Sequence, residues 1–251
     1  MISIISGYGY VGRATELALL HNGISVSLND PALGLVTDDW ERAAYHHVCV
    51  PTPSSTTGEH DITALEDAIM HARICGFNGT TVIRSTIGPL EFDRLGLDPT
   101  SLVWPEFLRK ATWDRDAVNP LVSIVGGNDC RDFLLDHPRL TATVVGDART
   151  ACMAKLAINS YLAVRTVITH DIRRTCDNLG LNWMGVKQAL DSDPRLGKGY
   201  WEQPGPDGNF GFGGGCLPKD TLGMATLLEK TGLDDGYASW AITRNSKLRD
   251  H

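Results

Sequence analysis

The chain has 251 residues, 42% of them hydrophobic, enough for one large domain or two smaller ones with cores of their own. A formal net charge of −7 supplies no basic field for nucleic acid or an anionic membrane surface, so neither is an expected partner. Met1 to Gly12 shows no charged leader pattern, no stretch approaches about 18 apolar residues, and the six cysteines lack paired spacing, so the expectation is a cytoplasmic protein with mostly buried thiols.

Taken in order, Met1 to Ser6 is an isoleucine-rich run followed by Gly7-Tyr8-Gly9-Tyr10-Val11-Gly12, and Thr15 to Asn22 has helical spacing before Gly23. This predicts strand, tight turn and helix. Ile24 to Leu28 predicts a second strand ending at Asn29-Asp30, which completes a βαβ unit. Glycines in such a turn let the backbone approach a pyrophosphate at the helix N-terminus, and Asp30 is placed to accept from a ribose diol and to repel a 2′-phosphate, which points to NAD. The plainer alternative is a connecting turn with Asp30 capping it before Pro31. Strand-length runs follow at His47 to Val50, Thr81 to Ile83, Leu102 to Trp104 and Val122 to Val125, with helix-like stretches such as Ala64 to Ile74 between them. No CxxC or HExxH element is present, and His46-His47 leads into an apolar run, so no metal site is expected. Pro105-Glu106-Phe107-Leu108-Arg109 follows a strand at the carboxyl edge of the sheet, where ligands of α/β folds bind, although Glu106 suits a helix start equally.

The second half is mainly helical. Ala148 to Leu179 has apolar residues at helical spacing and no Gly or Pro, predicting one long helix on which Lys155 and Asn159 share a face. A shorter helix is predicted over Trp183 to Asp191, then a Gly/Pro-rich stretch from Gly197 to Pro218 carrying Tyr200, Trp201, Phe210 and Phe212, then helices over Thr221 to Lys230 and Gly236 to Leu248. Within that stretch Gly213-Gly214-Gly215-Cys216-Leu217-Pro218-Lys219-Asp220 leaves a thiol approachable beside a cation that would favour the thiolate. By composition alone, a Cys after a glycine run is also a common small packing residue. The predicted fold class is α/β: a Rossmann-type doubly wound sheet over 1–146, then a mainly helical central or dimerisation domain over 147–251.

Seven segments in order, GYGYVG (7–12), VCVPTP (48–53), RSTIGP (84–89), PEFLR (105–109), KLAINSYLA (155–163), DPRLG (193–197) and GFGGGCLPKD (211–220), resemble the motifs of the UDP-glucose/GDP-mannose 6-dehydrogenase family. The resemblance implies NAD-dependent oxidation of a nucleotide-sugar C6 alcohol to an acid, with Cys216 as nucleophile, Lys155 and Asp220 managing proton and charge, Asn159 donating to the reacting oxygen, and Glu106 and Thr86 holding water. It places Gly7, Tyr8, Gly9, Tyr10, Val11, Gly12, Asp30, Val50, Pro51, Thr52, Ser85 and Thr86 against the cofactor. It places Glu106, Phe107, Leu108, Arg109, Lys155, Asn159, Phe212, Gly213, Gly214, Gly215 and Lys219 around the sugar, with Lys219 supporting the loop. Separately, an unpaired apolar face on the long helix predicts a homodimer through it. The chain departs from the family pattern in having Gly215 where serine is usual, Lys110-Ala111 for Glu-Gly and His170-Asp171 for Asn-Glu, and it reads as a shortened form lacking the C-terminal nucleotide-covering domain. Two other readings stay open: a dehydrogenase of a smaller hydroxy acid, and a silent NAD-binding or assembly module.

Overall fold

The computed structural model describes residues 1–55, 58–197, 202, 204–233 and 236–249. Tyr200 and Trp201 lie outside the described residues. By its internal contacts the chain divides into two units, Met1–Pro53 with His60–Lys155, and Ser54–Glu59 with Leu156–His251. The division falls inside a helix, past the 146/147 boundary drawn from the sequence.

The first unit is built on β1 (Ile2–Ser6), α1 (Tyr10–His21), β2 (Ser25–Asn29), β3 (Tyr45–Val48), α2 (Thr63–Ile74), β4 (Thr80–Ile83), α3 (Pro89–Arg94), β5 (Leu102–Val103), α4 (Trp113–Val118), β6 (Ile124–Val125), α5 (Cys130–Asp136) and β7 (Thr143–Val144). Five strands pair in parallel in the order β2-β1-β3-β4-β5, and β6 pairs with β7. Val103 and Gly126 exchange backbone hydrogen bonds of 2.9 and 3.0 Å, which ties β5 to β6. Chain order reverses between β1 and β3, so the loops that follow them diverge and leave a crevice at the carboxyl edge. Between β2 and β3 the chain makes only two single 3-10 turns, Pro31–Leu33 and Trp40–Arg42.

A parallel sheet covered on both faces calls for strands buried throughout. Ile4, Ile5, Val48, Val82, Ile83 and Leu102 meet that demand, each wholly excluded from water. More unusual is β3, where His46 and His47 are equally buried. The ring of His46 stands edge-on to Trp40 and Phe77 at 5.2 and 5.5 Å, with Nε2 2.8 Å from Ser6 Oγ. His47 sits among Trp104, Phe133 and His137, and neither of its ring nitrogens finds a hydrogen-bond partner among the described residues. The pair therefore works as aromatic core. Burial pushes His46 down to about 3 and His47 well below its ordinary 6.5. An unfolded chain then takes up protons below pH 6.5 that the folded chain refuses, so stability is full above that value and falls as pH drops toward the folded values. We expect chemical denaturation at pH 7.5 and 5.5 to show a loss of about 1.4 kcal/mol for each histidine, most of it arising below pH 6.5. Carboxylates held low, such as Asp116 at about 2, begin to contribute only at more acid pH. Equal stability at the two pH values would refute this account.

The second unit comprises most of α6 (Ala148–Asn178), with α7 (Trp183–Ser192), α8 (Cys216–Lys230) and α9 (Tyr237–Arg249). Its cores gather Ala163, Val167, Phe212, Ala241 and Leu248 in one cluster and Leu156, Met224 and Ala238 in another. Among the described residues α6 is long and apolar enough to cross a membrane by length and composition, contrary to the expectation above, but half of its most apolar window is buried in the protein. A second correction concerns α8, which begins at Cys216 rather than Thr221. Pro218 falls in its first turn, where a missing N–H costs nothing.

Candidate active site

At the end of β1 the chain turns through glycines into α1, whose N-cap, Gly9, offers no side-chain cap. The first-turn N–H groups are thus available to an anion. Gly12 packs so closely beneath the turn that a Cβ there would lie 2.1 Å from the carbonyl oxygen of Gly7. Asp30 closes the arrangement from β2: its Oδ2 accepts from the backbone N–H of Tyr8 at 2.7 Å. The Tyr8 hydroxyl donates to Glu16, which raises the phenol above its usual range. Tyr10 is exposed and Val11 half-buried, and a cleft of about 430 Å³ lined by Asn29, Pro31, Thr37, Asp38 and Trp40 opens alongside.

The loops after β3 and β4 are stitched together by the residues singled out from the sequence. Thr52 Oγ1 donates to Thr86 O at 2.6 Å, and Ser85 Oγ donates to Val50 O at 2.7 Å. Pro51 stays exposed between them. Beneath this layer lies a residue that the sequence did not single out. Arg84 is 4% exposed, donates to Thr15 Oγ1 at 3.1 Å and to Trp104 O at 2.7 Å, and has its guanidinium 3.7 Å from the Trp104 ring centroid. Burial lowers it to about 10. A lone Arg directly after an apolar strand was the available signal.

The backbone that Arg84 grips leads straight into Pro105 and Glu106. Lys155 Nζ donates to the Glu106 carbonyl at 2.5 Å, stands 3.5 Å from its carboxylate and lies 4.7 Å from the Phe107 ring centroid, with the lysine side chain 3% exposed. Glu106 Oε2 also accepts from Leu108 N–H at 2.8 Å, which folds the carboxylate back over its own turn. A small cavity of about 20 Å³, lined in part by Glu106, Phe107 and Leu108, has room for about one water. Arg109 is committed elsewhere: its fork binds Asp116 at 2.6 and 2.9 Å and holds that carboxyl at about 2.

In the second unit Cys216 is the first residue of α8, exposed, with no side-chain cap ahead of it. One turn on, Asp220 is 1% exposed, accepts from Asn159 Nδ2 at 2.5 Å and pairs with Lys219 Nζ at 2.8 Å. Gly213, Gly214 and Gly215 run up to the thiol with Gly214 and Gly215 exposed, whereas Phe212 is core at 3% exposure. Each unit thus assembles its own share of the candidate residues: Lys155 with Glu106 in the first, Asn159 with Asp220 and Lys219 in the second.

Residues 149–247 match the UDP-glucose/GDP-mannose dehydrogenase family, central domain. UDP-glucose 6-dehydrogenase TuaD of Bacillus subtilis is 26% identical over 222 residues, covering 82% of this chain and 47% of its own length. GDP-mannose 6-dehydrogenase of Pseudomonas aeruginosa is 29% identical over 221 residues, covering 75% and 48%. The chain spans about half the length of these curated relatives. Among solved structures, a UDP-glucose dehydrogenase from Pyrobaculum islandicum superposes with a TM-score of 0.81 at 24% identity, over 98% of this chain and 68% of that one. A 3-hydroxyisobutyrate dehydrogenase of Mycobacterium tuberculosis superposes with a TM-score of 0.74 at 17% identity, over 98% and 92%. Both show the fold. The chain is thus similar to nucleotide-sugar dehydrogenases over most of its length, in line with the resemblance its motifs carry.

Proposed function

We propose that this chain carries the catalytic machinery for NAD-dependent oxidation of a nucleotide-sugar C6 alcohol to the acid, as in UDP-glucose to UDP-glucuronate. The observation that carries the reading is an exposed Cys216 at the start of α8, one turn ahead of a buried Asp220 that accepts from Asn159 and is ion-paired with Lys219. Bound NAD supplies the hydride acceptor in both oxidations. Gly7 to Gly12 and the α1 N-terminus fit its pyrophosphate, Asp30 its ribose, and Val50, Pro51, Thr52, Ser85 and Thr86 its nicotinamide end. The buried Lys155, with Asp220, manages the proton and negative charge on the C6 oxygen, and Asn159 donates to that oxygen. Cys216 sulfur adds to the aldehyde carbon, forming a thiohemiacetal whose oxidation leaves a thioester. Water held at Glu106 then breaks the C–S bond, releasing the acid and restoring the thiol.

The test is NADH formation by the full chain with NAD⁺ and a panel of nucleotide sugars. Two NADH per sugar, with acid as product, supports the proposal. NAD⁺ binding without turnover of any sugar overturns it in favour of a silent binding module, and turnover of a small hydroxy acid alone overturns it in favour of a simpler dehydrogenase. The cofactor half is tested separately by Gly12→Ala. The added methyl group has to displace the Gly7 carbonyl, so we expect at least about tenfold weaker NAD⁺ binding by titration calorimetry. Unchanged affinity would remove the turn from the cofactor site.

The proposed setting is cytoplasmic and the proposed assembly a homodimer. Tyr161 and Ile168, seven residues apart on α6, are 64% and 45% exposed and form an apolar stripe for a second copy to cover.

A further inference from the structure

We propose that Asn245 on α9 is a positioning residue for Cys216, a role that rests on reading Cys216 as the nucleophile. Asn245 is 8% exposed, and its side-chain amide binds both backbone groups of Phe212: Oδ1 accepts from Phe212 N–H at 2.7 Å, and Nδ2 donates to Phe212 C=O at 3.0 Å. One side chain thus does for Phe212 what a neighbouring strand would do, across 33 residues of sequence. The approach depends on Gly211, whose φ is +74° and where a Cβ would lie 2.2 Å from Asn245 Oδ1. One helical turn later, Arg249 Nη2 pairs with Asp207 Oδ2 at 2.8 Å, and that ion pair crosses the same segment within 2.6 Å of where a Gly213 Cβ would stand.

The reason this matters for the thiol lies in what separates the clamp from Cys216. Gly213, Gly214 and Gly215 have no side chains to fix their course, and three glycines have wide backbone freedom. Where the sulfur points is therefore decided by the two ends of the segment: the first turn of α8, and Phe212. The Phe212 ring is anchored among Ala163, Val167, Ala241 and Leu248, and Asn245 fixes its peptide groups. Four residues of chain span at most about 14 Å, so the anchored Phe212 limits the positions open to the glycine segment and to the sulfur at its end, and releasing that anchor widens them.

The test uses Asn245→Ala, which removes both hydrogen bonds, and Asn245→Asp, which keeps the volume and the acceptor but turns a carboxylate oxygen toward the Phe212 carbonyl. Alkylation of Cys216 by iodoacetamide is followed by peptide mass across a neutral-to-alkaline pH series, with the half-buried Cys75 of the other unit as internal reference. We expect the Cys216 rate to change by about threefold or more and its pH profile to shift, with Cys75 unchanged. Where turnover is measured, kcat falls about tenfold with KM for NAD⁺ within about twofold. A Cys216 rate and pH profile equal to wild type in folded Asn245→Asp overturn the proposal. Should Asn245→Ala fail to fold, Asn245→Asp and Arg249→Gln decide by the same alkylation readout. A wild-type chain that never turns over a sugar, yet shows the altered alkylation in the variants, keeps the clamp and discards the nucleophile.

Discussion

Cys216→Ser is expected to lower acid formation by at least about a thousandfold while leaving NAD⁺ binding and the thermal midpoint close to wild type. Cys216 is exposed, so the exchange of sulfur for oxygen removes little packing, and the N-cap of α8, Gly215, is untouched. Only the chemistry changes. A serine hydroxyl is a far weaker nucleophile toward the aldehyde than a thiolate, so the second oxidation loses its covalent intermediate. Product analysis should find sugar aldehyde without acid, with NADH formed in excess over acid. Acid released by the serine variant at the wild-type rate would rule out a covalent route through this residue.

Lys155→Ala should be damaging in two separable ways. The ammonium is 3% exposed and stands over the Glu106 carbonyl and carboxylate, so its removal leaves Glu106, itself only 10% exposed, without a cation. Stripping one partner from a buried pair costs about 3 kcal/mol or more. Turnover is expected to fall by at least about a hundredfold, because Lys155 is assigned the proton on the reacting oxygen. The double variant Lys155→Met with Glu106→Gln, read against Glu106→Gln alone as the baseline for turnover, separates the two effects. It removes the orphaned charge and refills the space, so urea denaturation should show most of the stability recovered, while turnover stays lost. Recovery of turnover along with stability would reduce Lys155 to a structural role.

Much of the first unit could be read from the chain because its signals are local. An isoleucine run, a glycine turn and a helix pattern in succession admit few arrangements, and β1 to β6 and α2 fell within two residues of expectation, whereas α1 begins at Tyr10 rather than Thr15 and the two-residue β7 was not anticipated. The short helices α3, α4 and α5 were not anticipated: six or seven residues complete too few turns to show a period. Pro218 was taken to end a loop, although proline is at home in a first turn, and that hid the placement of Cys216 at a helix N-terminus. Phe212, read as a pocket residue beside the thiol, proved to be core, since a ring among glycines gives no hint of what it packs on. Asn245 was noticed only as part of a helix, because a contact 33 residues away leaves no trace in local pattern. Arg84 was hidden for the same reason, as its partners Thr15 and Trp104 come from other elements.

The distribution of sulfur between interior and surface has a consequence for chemical damage. Cys49, Cys130, Cys152 and Cys176 are buried and so out of reach of peroxide, and burial raises Cys49 to about 11 and Cys130 and Cys152 as well, which keeps those three thiols protonated. Cys75 is partly covered, and Cys216 is the exposed one of the six. Oxidative injury to the folded chain should thus begin as sulfenic acid at the residue on which turnover is proposed to depend, and a mild reductant could reverse it without refolding anything.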